Sequence, residues 1–201
     1  MNRLIARTLL HAFMIAGLTT GCTYYQGGVV HRRDASQFSN AHTAGGVQIG
    51  ATAVVSKVQS MEIFDAYLGG KGYFPVEVFV KNQTDSRILL ERDRVELVSN
   101  SGETVRPVPL ANMIADFERS MVAYSFLGSA GILSAAQANK KMAADWSAKE
   151  FPHRTIVPPS GSSSGFIYFK LPEGEGPEGR ELVIPAEKLE SRTTEVFRLR
   201  L

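Results

Sequence analysis

The sequence predicts a mainly β protein, an antiparallel sandwich whose strands are interrupted by an α-helical hairpin. Three observations predict it. Short β-branched and aromatic runs recur along the chain, separated by Gly, Pro and Asn turns. In the clearest run, Tyr73 to Asn82, Phe74, Val76, Val78 and Val80 alternate with Pro75, Glu77, Phe79 and Lys81, which is the period of a strand. Between the early and late runs the period lengthens: Leu110, Ile114, Phe117, Met121 and Tyr124 recur at helical spacing.

The chain begins with Arg3 and Arg7, then an apolar run from Leu9 to Leu18 broken by His11. A positive start followed by a run too short to span a bilayer is the layout of a secretory signal peptide, read here as residues 1–21. The run ends Leu18-Thr19-Thr20-Gly21-Cys22, and these residues resemble a bacterial lipobox. The resemblance implies cleavage before Cys22, lipidation of its sulfur and N-acylation of the new terminus. More than one acyl chain gives firm anchoring, at about 0.8 kcal/mol for each buried CH2. Thr23, rather than Asp, follows Cys22, and in lipoproteins of two-membrane bacteria that implies sorting to the outer membrane. The expected location is the cell envelope, with the periplasmic and outer faces both open.

Composition excludes other classes. With 201 residues and 44% hydrophobic content, the chain is long and apolar enough for a real core. One cysteine makes no internal disulfide and no thiolate metal cluster. Twenty-two basic residues against 20 acidic ones give no cationic excess for nucleic acid. Loss of Arg3 and Arg7 with the signal would bring the two counts level.

Residues 22–46 read as the lipidated Cys followed by a flexible tether, because they are polar, Gly-containing and aperiodic. His31 and His42 fall there without ligand spacing around them. The folded domain is expected at 47–201. Its strands are Val47–Val55, Tyr73–Asn82, Arg87–Glu91, Arg94–Val98, Arg154–Val157, Gly165–Lys170, Glu181–Ile184 and the alternating Phe197, Leu199 and Leu201. Turn clusters at Asn82–Asp85 and Ser99–Gly102 separate them. The helical insertion is expected at about 110–151. Ala135, Ala138, Met142 and Trp146 continue the helical spacing, and Phe151-Pro152 closes it.

Val76-Glu-Val-Phe-Val-Lys-Asn82-Gln-Thr84, Val95–Gly102, Val157-Pro-Pro-Ser-Gly161 and Gly165–Pro172 together resemble the telokin-like immunoglobulin domains of small bacterial lipoproteins. The resemblance covers about half of the mature chain and implies an immunoglobulin-like sandwich at the envelope. It implies no reaction, since one fold hosts many functions.

Motifs tested for chemistry read as structure. Gly161-Ser-Ser-Ser-Gly165 has the spacing of a nucleophile elbow around Ser163, but a strand-like run follows where a helix is required. Gly69-Gly-Lys-Gly72 lacks phosphate-loop spacing and precedes a strand. Glu173, Glu175 and Glu178 lack the ligand spacing of a calcium loop. His153 has no partner identifiable from sequence. Ser120 to Asn139 carries no formal charge and is rich in small residues. Its three readings are a hairpin packed on the sandwich, a partner-binding helix and a membrane-inserted one.

The expected function is a non-enzymatic interaction or structural module, held to the membrane by the lipid on Cys22, with a protein partner and no cofactor, metal or nucleic acid. Its partner surface is expected on the helices at 113–146. The alternatives are an oligomeric component of a larger envelope or secretion assembly using those helices, and an envelope enzyme whose site is assembled from scattered residues.

Overall fold

The computed structural model describes Tyr25, Gly27 and residues 37–118 and 128–201, with the side chains of 128–132 outside that description. The protein is mainly β, with two antiparallel sheets. The first has the order β1 (His42–Ala44), β2 (Val47–Ala53), β3 (Tyr73–Asn82), β8 (Ser162–Lys170). The second runs β6 (Thr104–Val105), β5 (Glu96–Val98), β9 (Glu181–Lys188), β4 (Ile88–Glu91), β7 (Arg154–Val157). Strand β10 (Thr193–Arg200) pairs along the whole of β9.

On its other edge β9 takes β5 opposite Glu181–Val183 and β4 opposite Ala186–Lys188. The gap falls at Ile184 and Pro185. There the chain between β4 and β5 makes a 3-10 turn at Arg92–Arg94. Proline offers no N–H to a ladder, so a break costs least at such a position.

The main core lies between the sheets. Val76, Val78, Val80, Ile167 and Phe169 of the first sheet meet Ile88, Leu90, Leu182, Ile184, Phe197 and Leu199 of the second. The other face of the first sheet is not left to water. Tyr73, Phe166 and Tyr168 point there and enter a second cluster with Phe64, Leu68, Met113, Ala138, Met142 and Trp146. These residues come from α1 (Lys57–Phe64), α2 (Leu110–Phe117) and α3 (Gly128–Lys149) and from the 3-10 turn at Leu68–Lys71. The order of layers is therefore helices, first sheet, second sheet.

Several sequence expectations change. Helix α2 stops at Phe117, where Glu118 N–H bonds back to the Ile114 carbonyl, rather than running on to Tyr124. Met121, Tyr124 and the stretch 119–127 lie outside the described residues, so the hairpin connection does too. Helices α2 and α3 lie between β6 and β7, but α1, from before β3, shares their layer. Ala135, Ala138, Met142 and Trp146 do form one buried face of α3. The expected tether differs where it is described: Tyr25 and Phe38 are buried and His42–Ala44 is strand β1. Aromatic side chains in a polar stretch regain burial wherever an uncovered apolar surface lies within reach.

Candidate functional site

Helix α1 ends at Phe64, and its last carbonyls have no partner within the helix. Side chains from elsewhere supply donors. Trp146 Nε1–H donates to the Phe64 carbonyl at 3.0 Å, and the Lys149 ammonium donates to that of Ile63. A cation there also suits the negative end of the helix dipole. Asp145, one turn before Lys149 on α3, pairs with it.

Tyr25, three residues beyond Cys22, completes this junction. Its hydroxyl donates to Asp145 Oδ2 at 2.6 Å and lies 3.2 Å from the Phe64 carbonyl oxygen. Burial first, and then the Asp145 carboxylate, pushes the phenol well above its ordinary range. The Trp146 ring stands edge-on to Phe64 and Phe117, at centroid distances of 6.1 and 5.5 Å. Tyr25 is thus held between the C-terminal ends of α1 and α3.

A second polar cluster is joined to this junction through Phe117, whose ring lies 5.5 Å from that of Trp146 and 6.1 Å from that of Tyr73. Tyr73 Oη donates to Asp116 Oδ2 at 2.6 Å. Lys170 Nζ donates to the same carboxylate at 3.0 Å and to Tyr73 Oη at 3.1 Å. Lys71 donates to the Asp116 carbonyl and lies 4.5 Å from the centroid of Phe117. Hydrogen bonds from Tyr73 and Lys170 hold the Asp116 carboxyl below its usual range, while the Lys170 ammonium is held above its own. Tyr73 is raised, mainly by burial. All three groups move away from neutrality, whereas a general acid or base needs a pKa near the working pH. The cluster works as a clasp between α2, β3 and β8.

Beside this clasp a recess of about 540 Å³ opens between the 69–72 turn and the stretch Lys170–Glu175. Gly72 closes the turn at φ 75, and a Cβ there would sit 2.8 Å from the Leu171 carbonyl oxygen. That left-handed position and close approach explain the glycine. Strand β3 follows, not a helix, so this loop does not open onto a helix N-terminus as a phosphate loop does.

Arg180 is the charged side chain that sequence reading missed. It is 6% exposed and pairs with Glu175 and Glu103. Its Nη1 is buried with no hydrogen-bond partner among the described residues. Glu175, tested as a calcium ligand, is instead a counter-ion to this guanidinium. No sequence signal ties Arg180 to Glu103, 77 positions away.

The other sequence candidates separate. Cys22, His31 and residues 1–21 lie outside the described residues. Ser163 sits within β8 opposite Val80, in a ladder and not on an elbow. His153 Nδ1 lies 3.2 Å from Asp93 Oδ1, and both side chains are about two-thirds exposed. His42 is on β1, edge-on to Phe197. Among the described residues no group of three His, Cys, Asp or Glu side chains is placed to hold a metal ion, and no helix is long and apolar enough to cross a membrane.

No family model matches the chain, and no curated protein does. Among solved structures, the yjhA protein from Bacillus subtilis aligns at a TM-score of 0.43 and 10% identity, over 81% of this chain and 97% of that one. The FixG-related protein from Vibrio parahaemolyticus aligns at 0.38 and 7% identity, over 79% of this chain and 96% of that one. Both likenesses are too distant to carry an argument.

Proposed function

We propose that this chain is an envelope lipoprotein, anchored in the outer membrane through Cys22, whose domain is a non-enzymatic interaction or structural module. One observation carries the proposal. The lone cysteine follows a signal-like run, and three residues later Tyr25 is already buried in the helical layer. Every described element follows Cys22, so cleavage there removes none of them. An immunoglobulin-like sandwich, with α2 and α3 as an insertion, is the finer reading of the two sheets. The perturbed groups around Asp116 are built as a clasp, which favours a module over a catalyst.

The test is Cys22→Ser in the native cell. The expected result is an unprocessed precursor and loss of the protein from the outer-membrane fraction. A variant that is processed and fractionates like the parent contradicts the proposal.

A second reading is an oligomeric assembly component that uses the helices at 113–146. Leu133, 63% exposed on α3, favours it. A chain of residues 23–201 that stays monomeric at high concentration removes that reading.

A further inference from the structure

We infer that the helical layer, through the exposed Val58, Met61 and Tyr67 around α1, is the surface that lies against the lipid bilayer. The inference rests on Cys22 carrying its acyl chains, as proposed above.

The leash is short. Two residues, Thr23 and Tyr24, separate Cys22 from Tyr25, and the three Cα-to-Cα steps reach at most about 11 Å when fully extended. This bound holds whatever path they take. Tyr25 is fixed at its far end, because its hydroxyl bonds to Asp145 and its ring is buried beside Phe64 and Trp146. The lipid attachment point is therefore confined near the C-terminal end of α1.

The layers decide which face meets the bilayer. Helices, first sheet and second sheet are stacked in that order, and packed layers lie about 10 Å apart. The outer face of the second sheet is then about 20 Å from the helical layer, beyond the reach of the leash. Val196 marks that far face: it is 52% exposed and alternates with the core residue Phe197.

The near face carries apolar side chains in reach. Val58 and Met61 are 65% and 42% exposed on α1, and Tyr67 follows at 39%. Both α1 residues lie within about 10 Å of Phe64 along the helix axis. Single exposed apolar residues are ordinary on any protein. What distinguishes these is their place beside the anchor. Lys57 and Glu62 offset each other on α1, so the contact is apolar and not expected to weaken with salt.

The experiment uses the processed full-length lipoprotein in phosphatidylethanolamine–phosphatidylglycerol vesicles. Acylated Cys22 has no free thiol, so an introduced cysteine is the only reactive one. Val58→Cys, Met61→Cys and Val196→Cys are each labelled with a fluorophore. Quenching by lipids bearing a nitroxide at headgroup depth is then measured, with the mass of Cys22 checked in each sample. All three positions are exposed, so the fold should tolerate the labels, and far-UV circular dichroism verifies this. The expected result is quenching at 58 and 61 stronger than at 196, on the order of threefold, for side chains seated at the headgroup boundary. Equal quenching, or stronger quenching at 196, on an acylated protein overturns the inference and leaves the anchor standing. Absence of the acyl mass overturns both.

Discussion

Tyr25 and Asp145, 120 positions apart in the chain, share a hydrogen bond of 2.6 Å. That bond joins Tyr25 to α3 near its C-terminal end. Tyr25→Phe keeps the ring in its pocket and removes the bond, leaving Asp145 to Lys149. The expected loss is about 1–2 kcal/mol of stability, read from the midpoint of urea unfolding. An unchanged midpoint would show that this hydroxyl contributes nothing to the fold.

The same phenol sets a pH limit. Burial raises Tyr25 and Tyr168 above the ordinary tyrosine range. A group raised in the folded state stabilises below its unfolded pKa, and that contribution fades as pH climbs toward the folded value. Stability should therefore fall above about pH 10, by at most about 1.4 kcal/mol per pH unit for each such tyrosine. Urea unfolding between neutral pH and mild alkali should show a shallower decline in Tyr25→Phe than in the parent. Equal slopes would contradict the buried placement of this hydroxyl.

Asn82 is fully buried at the end of β3. Its amide donates to the carbonyls of Ser86, Val157 and Pro158, and its Oδ1 accepts from the backbone and hydroxyl of Thr84. Asn82→Ala strands several buried groups at once, and each costs about 1–3 kcal/mol. The expected destabilisation is about 3 kcal/mol or more by chemical unfolding, against less than about 1 kcal/mol for the exposed Gln83→Ala. Comparable losses at the two positions would refute this account of the turn.

Arg180 tests which partner of a buried ion pair matters. Glu103 and Glu175 are about half exposed and return to water when the guanidinium is removed. Removing both carboxylates instead leaves a buried charge uncompensated, a change worth about 3–5 kcal/mol in such sites. The double variant Glu103→Gln/Glu175→Gln should therefore melt below Arg180→Met. The reverse order would mean that the guanidinium itself holds the loop together.

Much of the β framework was legible in the sequence, because strand-length β-branched and aromatic runs mark β3 and β8; the alternation in β3 does not mark a solvent face, since Glu77 and Phe79 are buried as well as Val76, Val78 and Val80. Phe166 and Tyr168 face the helices while Ile167 and Phe169 face the other sheet, so both sides of β8 are apolar. Helix α1 was not legible. Its core-facing residues are Ser60 and Phe64, and the serine is buried because its hydroxyl bonds the Ala66 carbonyl and the Leu68 N–H. Polar patterning hides such a face. The expected strand begins at Gly165, yet β8 begins three residues earlier at Ser162. A Cβ at Gly165 would meet the Phe151 backbone at 2.7 Å, so that glycine serves a close approach. Tyr25 and Arg180 were hidden for another reason: their partners are distant in sequence, and nothing local in either residue points to them.

The central claim is that Cys22 is the lipid-bearing first residue of the mature protein. Mass spectrometry of the N-terminal peptide, taken from protein purified out of native membranes, tests it most directly. The account predicts a peptide that begins at Cys22 and carries the mass of a diacylglyceryl thioether and an N-acyl chain. A peptide that begins elsewhere, or one that contains Cys22 with a free thiol, would contradict it.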